Sequence, residues 1–335
     1  MTVRMYSSLD TGAPDLSAAN TPRLLDILRI ILRACLVDGY GAKEAAGWTL
    51  GHQVENGFSL SNGEGVINFV HVDTVNVEIY LMESINDPST PLAGGVNRRS
   101  GFWFDGETTT SRQAFYSAAA GSVTKSWALV ADDKTVTVMV QANVPNVDNT
   151  NPTLAQVLHF GRYFPVLGGV GFCVLPGNTR YSSGNFWANS NQPGTCLRNP
   201  FTNLIPQGAA PGYALGNPPG VNRSSSMQVP TFMPRVLQFF RAGLLAGGVG
   251  MSGADFSPAN SIYAGALRGL LVDPFIGIAR LSQILGACGV ASPVANDRLK
   301  AVTVGGKTYW PLSPHTSDLC GFVSLEAEDW GPLWT

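Results

Sequence analysis

Four histidines and five cysteines are the residues of this chain best suited to hold a metal ion or act as nucleophiles: His52, His71, His159 and His315, with Cys35, Cys173, Cys196, Cys288 and Cys320. A zinc site brings such ligands together, and its usual sequence signs are H-E-x-x-H or C-x-x-C. Neither occurs here. His71 alternates with Val70 and Val72 and reads as a hydrogen-bonded structural histidine on a strand. Carboxylates cluster as Asp132-Asp133 and as Glu326, Glu328 and Asp329. A glycosidase needs two carboxyls roughly 5–10 Å apart in a cleft. Asp132-Asp133 instead falls between two apolar runs, where Asp favours a turn by bonding to nearby backbone. Gly248-Val249-Gly250-Met251-Ser252-Gly253 has the letters of a dinucleotide-binding loop. That loop must open a helix whose N-terminus meets the pyrophosphate, and Ala254-Asp255-Phe256-Ser257-Pro258 is poor helix sequence. No Walker A sequence or G-x-S-x-G elbow is present. No residue is therefore assigned a catalytic, cofactor-binding or metal-ligating role, and no enzymatic activity is expected.

Charge narrows the partners. Across 335 residues, 21 Lys plus Arg face 23 Asp plus Glu, a net charge of −2. That excludes the ordinary basic nucleic-acid binder, which needs a surplus of cations to neutralise phosphates. Only 13% of residues are charged, about half the ~25% usual in a globular domain. With 44% hydrophobic residues, disorder is not expected. The deficit is greatest between Thr135 and Leu267, where eight residues in 133 are charged. A surface so poor in charge fits one covered by neighbouring chains, because interface cores are depleted in charge. The odd number and irregular spacing of the cysteines point away from a secreted disulfide scaffold, so they read as reduced and mostly buried. Met1 to Tyr6 leads into polar residues and a proline, so no secretory signal is expected, and assembly in a cytoplasm follows. Leu24 to Val37 contains Asp26, Arg29 and Arg33. It would reach about 21 Å as a helix, short of the ~30 Å hydrocarbon core, and no membrane partner is expected.

The elements that would position these residues are mostly strands. Thr21-Pro22 reads as a helix start and Gly39 as its stop, predicting a helix over 22–37. Leu24, Leu25, Ile27, Leu28, Ile31, Leu32, Cys35 and Leu36 share one half of its wheel; Arg23, Asp26, Arg29 and Arg33 share the other. The helix should dock on a sheet of its own domain. Val66 to Val72 with Val75 to Leu81, and Trp127 to Ala131 with Thr135 to Gln141, read as antiparallel hairpins. Gly101 to Phe104 before Asp105-Gly106 marks a further tight turn. From about 142 to Ser226, Asn, Pro, Gly and Ser dominate, and long loops or arms are expected. Val236 to Ala246 suits helix or strand equally. Ala301 to Val304 and Lys307 to Leu312 flank Gly305-Gly306 as a hairpin. Trp330 and Trp334 near the C-terminus predict a tail that docks.

Several of these segments carry a resemblance. Asp10-Thr11-Gly12-Ala13-Pro14, then Ala34-Cys35-Leu36-Val37-Asp38-Gly39-Tyr40-Gly41-Ala42-Lys43, then Ala46-Gly47-Trp48-Thr49, resembles the opening of a poorly characterised family of tailed-bacteriophage virion structural proteins. Val70-His71-Val72-Asp73, Ala128 to Asp133, Leu267-Arg268-Gly269 and Trp330-Gly331-Pro332 are also similar to that family's pattern. The match is best over 10–141, intermittent from about 260 to 335, and weak between; the apolar stretch 232–251 departs from it. The resemblance implies a particle component and supplies no catalytic residue.

The expected architecture is mainly β: antiparallel meander or sandwich-like sheets, one N-terminal amphipathic helix and long loops. Three regions are expected: a helix plus β-hairpin domain over 1–141, a loop-rich Gly/Pro/Asn segment or arm over 142–226, and a β-rich region over 227–335. The expected function is that of a noncatalytic, multi-copy structural protein of a tailed-phage virion, in the tail, baseplate or head-to-tail (neck) region. Its partners would be other copies of itself and other virion proteins of the tail, baseplate, portal-proximal region or capsid. The alternatives are a capsid decoration protein and a receptor- or carbohydrate-binding module at the particle tip. The latter would cluster Phe102, Trp103, Phe104, Phe186 and Trp187 on the surface.

Overall fold

The computed structural model describes residues 1–16, 23–72, 76–90, 94–100, 114–116, 124–142, 155–165, 168–178, 195–200, 202–204, 213–216, 234–240, 261–271, 299–304, 306–312 and 321–332. The fold is mainly β, with antiparallel sheets that include a curled half-barrel and one N-terminal helix of fifteen residues. Strand β1 (Arg4–Ser7) precedes helix α1 (Leu24–Arg33), which widens into a π-helical turn over Ala34–Asp38 and ends at Gly39. The helix thus stands close to its expected 22–37 span; the expected cap, Thr21-Pro22, lies outside the described residues. Cys35 O accepts the Ala46 N–H at 3.0 Å, and Leu36 O accepts from Gly47 at 3.1 Å and Trp48 at 3.0 Å, so these carbonyls bond to the following segment.

Strands β2 (Thr49–Val54), β3 (Gly57–Ser61), β4 (Val66–His71) and β5 (Asn76–Met82) form a meander. β6 (Ser84–Ile85) and β7 (Gly95–Val96) pair separately, while β8 (Arg99–Ser100) and β9 (Ala114–Tyr116) both add to β5. The β4–β5 pairing realises the first expected hairpin, with Phe69 opposite Ile79 and Ile67 opposite Leu81. The buried face of α1 consists of the expected residues, Leu24, Leu25, Ile27, Leu28, Ile31 and Leu32, with Cys35 and Leu36 in the turn beyond. They join Phe58, Leu60, Ile67, Phe69, Val77, Ile79 and Leu81 of the small sheet in one core. Each buried Leu or Ile there contributes roughly 1.5–3 kcal/mol. From the outer face, Arg29 donates to Val54 O and Glu55 O, both at 3.0 Å, and fastens the helix to the β2–β3 turn.

The large sheet is built on β10 (Thr124–Ala131), β11 (Thr135–Ala142), β12 (Ala155–Pro165) and β13 (Gly171–Asn178). β14 (Thr195–Cys196) pairs with β13; β15 (Tyr213–Gly216), β16 (Pro234–Phe240) and β17 (Ser261–Leu271) follow. β18 (Val302–Val304), β19 (Lys307–Leu312) and β20 (Gly321–Ser324) complete it. The main path is β1-β10-β11-β12-β17-β20-β19-β18. β12, β13 and β15 all run through the region over 142–226 expected to be loops or arms. Their sequences are broken by Gly161, Pro165 and Pro176, so β propensity alone does not reveal them; pairing with β11 and β16 supplies what propensity lacks. The ambiguous Val236 to Ala246 is strand as far as Phe240. The expected β10–β11 and β18–β19 hairpins are both present.

β10 and β11 are covered on both faces. Trp127, Leu129, Val136, Val138 and Val140 enter the core shared with the helix. Ala128, Val130 and Met139 enter a second core with Val157, Leu175, Trp310, Val323 and Trp330. Sheets buried on both sides read as near-continuous apolar runs, as these strands do. The tail docks as far as it is described: a 3₁₀ turn over Ala327–Trp330 buries Trp330 completely.

Candidate functional site

Among the described residues, the turn between β10 and β11 gathers hydrogen bonds from several distant segments. Asp132 builds it locally: its Oδ1 accepts the N–H of Lys134 at 2.9 Å and of Thr135 at 2.8 Å, and its own N–H donates to Thr135 O at 3.1 Å. This is the turn role expected of the residue. Its carboxylate also meets an unexpected partner. Arg268 of β17 donates from Nη2 to Oδ2 at 2.6 Å and from Nη1 to Oδ1 at 3.3 Å, with both side chains buried. Arg268 Nη1 further donates to Thr135 Oγ1 at 2.8 Å, and its Nε to Trp330 O at 2.7 Å. The guanidinium lies 5.8 Å from the Trp330 ring centre and 6.0 Å from that of Phe164.

Sheet register explains why Arg268 arrives there. β11 stops pairing with β12 at Thr135 opposite Gly161, and β12 runs on to pair Tyr163 with Leu267 of β17. The residue after Leu267 therefore stands beside the end of β11. Gly269 follows with φ +66°, and a Cβ there would lie 2.2 Å from the Trp330 ring, so a side chain would expel the indole. Other segments grip the same turn. Trp48 Nε1 donates to Asp132 O at 2.9 Å, Asn62 Nδ2 to Lys134 O at 2.7 Å, and Thr135 Oγ1 to Arg162 O at 3.1 Å.

A second convergence lies near the N-terminus. Asp10 Oδ2 accepts from Ser7 N at 2.8 Å and from the Tyr40 hydroxyl at 2.7 Å, and Lys43 Nζ stands 3.5 Å from Oδ1. Gly41, at φ +54°, packs so tightly on Thr11 that a Cβ would sit 2.5 Å from Thr11 O. Burial, reinforced by the bond to Asp10, pushes the Tyr40 phenol up, and burial does the same to Tyr6. Both phenols stay protonated and act as donors, Tyr6 to Glu44 O at 2.7 Å.

The three described histidines stand on different strands. His52 is exposed on β2, and His71 closes β4 with its Nδ1 buried and unpartnered, so the hydrogen bond expected of His71 is not made at that atom. His159 makes such a bond instead: its Nδ1 lies 2.8 Å from Thr137 Oγ1, directly opposite on β11. Burial, aided by the Arg268 charge, pulls the His159 imidazole down to about 3, so it is neutral. Among the described residues no group of three or more His, Cys, Asp or Glu is placed to hold a metal ion, and no helix is long and apolar enough to cross a membrane. Glu326 accepts the Thr308 N–H at 2.7 Å, Glu328 pairs with Lys307, and Asp329 accepts from Ser324, so these carboxylates bond within the C-terminal region. His315, Cys288, Cys320, the 248–253 glycine run and Phe102, Trp103, Phe104, Phe186 and Trp187 lie outside the described residues.

Chemically, the arrangement around Asp132 is a closed charge-assisted network: each polar atom of Arg268 faces a protein acceptor. One signal in the sequence points to it. Arg268 is the single charged residue in the apolar run of β17, and a lone charge on a buried strand requires a buried partner. No family model matches the chain, and no curated protein matches it.

Proposed function

We propose that the chain is a noncatalytic structural component of a tailed-bacteriophage virion, present in many copies in the tail, baseplate or head-to-tail region. The observation that carries this reading is the use made of the family-like segments. Ala46-Gly47-Trp48, Asp132-Asp133, Leu267-Arg268-Gly269 and Trp330 converge on one buried turn. Asp10 to Pro14 interlocks with Tyr40 to Lys43. These residues bond to one another and hold strands in place, which is a structural rather than a catalytic use of them. The sparse charge of 135–267 is in part that of β11, β12 and β13 buried within the chain; where the stretch reaches the surface, so little charge suits contact with neighbouring subunits.

Quantitative mass spectrometry of purified particles tests the reading. Many copies per particle, in a number matching the rotational symmetry of the tail, are expected. Absence from the particle overturns the proposal, a copy number following the capsid lattice replaces it with capsid decoration, and clearing of cell wall by the purified chain in a zymogram overturns its noncatalytic part.

A further inference from the structure

Cys173 of β13 and Cys196 of β14 stand directly opposite each other on antiparallel strands. On the adjoining rung the Leu197 N–H donates to Phe172 O at 2.8 Å, so that rung is hydrogen-bonded. Rungs alternate along an antiparallel ladder. The Cys173–Cys196 rung is therefore of the non-hydrogen-bonded kind, in which Cα atoms stand about 4.5 Å apart and side chains are closest. That separation lies within the roughly 4.4–6.8 Å found across disulfides. Both side chains enter the second core, both are buried, and both thiols are free.

We propose that Cys173 and Cys196 form a disulfide once the protein meets an oxidising medium, stapling β14 to β13 and closing the base of the segment between them. The oxidant is a small-molecule disulfide such as glutathione disulfide. The thiolate of Cys196 attacks one sulfur of the oxidant, forming a mixed disulfide and releasing one glutathione thiolate. The thiolate of Cys173 then attacks the Cys196 sulfur and expels the second glutathione. The protein loses two protons and two electrons, and one glutathione disulfide becomes two glutathione thiols. Burial pushes both thiols up, Cys173 well above its ordinary range, so thiolate is scarce while the strands are closed. β14 is only two residues long and, among the described residues, pairs with β13 alone. Its opening admits the oxidant, and its closing returns the two sulfurs to one rung. None of this depends on the proposed virion role.

The test uses the full-length chain purified under reducing conditions. One portion is exposed to excess glutathione disulfide; both portions are then denatured, alkylated, digested and mapped by mass spectrometry without reduction. The expected result is a linked pair of peptides containing Cys173 and Cys196, lighter than their sum by two hydrogens and separated by dithiothreitol. Cys35, buried in the other core, remains alkylatable. Closing the loop raises the thermal midpoint of the oxidised form by roughly 5 °C. Cys173→Ala and Cys196→Ala each abolish the linked pair and the rise. Because either alanine lowers core stability, the wild-type map is decisive. Full alkylation of both cysteines after exposure, or a bridge from either to Cys288 or Cys320, overturns the proposal.

Discussion

Arg268 shows how one residue connects distant parts of this chain. A guanidinium buried beside a carboxylate gains little net stability over an apolar pair of the same shape, because both ions surrender their hydration. Removing one partner is far costlier, since the other is left charged and dry. Arg268→Met is therefore expected to lower unfolding free energy by about 3–5 kcal/mol, read from urea denaturation. Asp132→Asn combined with Arg268→Met should cost less than Arg268→Met alone, because Asn keeps the acceptor for the Lys134 and Thr135 N–H groups. His159 adds a pH dependence. Its imidazole titrates near 6.5 when unfolded and at about 3 when folded, so the unfolded chain binds more protons between those values. The contribution is complete above 6.5 and is lost progressively as pH falls toward 3. Between pH 4 and 6 the wild-type slope should exceed that of His159→Gln by up to ~1.4 kcal/mol per pH unit, one proton's worth. Equal slopes in denaturation series across that range would refute it.

Among the elements, α1 was the most legible in the sequence, because a wide apolar stripe at helical spacing has few other uses. All eight residues placed on its apolar face are buried, and Arg33 on the other face is paired with Asp38 near solvent. Leu28→Ala is expected to cost about 2–5 kcal/mol through lost burial and the cavity left behind. Arg33→Ala should cost about 0.5 kcal/mol or less. Comparison of denaturation midpoints at equal slope separates the two. The β4–β5, β10–β11 and β18–β19 hairpins were legible for a related reason: each has two apolar runs joined by a short polar or Gly-Gly turn. β12 and β13 were not. Glycine, proline and arginine interrupt their alternation, and their place depends on an eight-rung pairing between two strands that neither sequence announces alone.

For the whole molecule, the sparse charge of 135–267 bears on association. Contacts built from neutral side chains respond weakly to ionic screening, whereas salt-bridged interfaces weaken as the Debye length shrinks from about 10 Å at 0.1 M to about 3 Å at 1 M. Self-association of the purified chain, followed by sedimentation, is therefore expected to change by less than about threefold over that salt range. A tenfold or greater loss would show that ion pairs hold the copies together.

Composition and periodicity by themselves determined the β class, the amphipathic helix, three hairpins and the turn role of Asp132, because each is set by contacts between near neighbours in sequence. Only the tertiary structure decided that Asp132 pairs with Arg268, that the segments around Trp48, Asp132, Arg268 and Trp330 share one node, and that Cys173 faces Cys196. Those partners are separated by as many as 136 residues along the chain. Which distant residues become neighbours follows from strand order and register, and these arise from burying two sheets and a helix together.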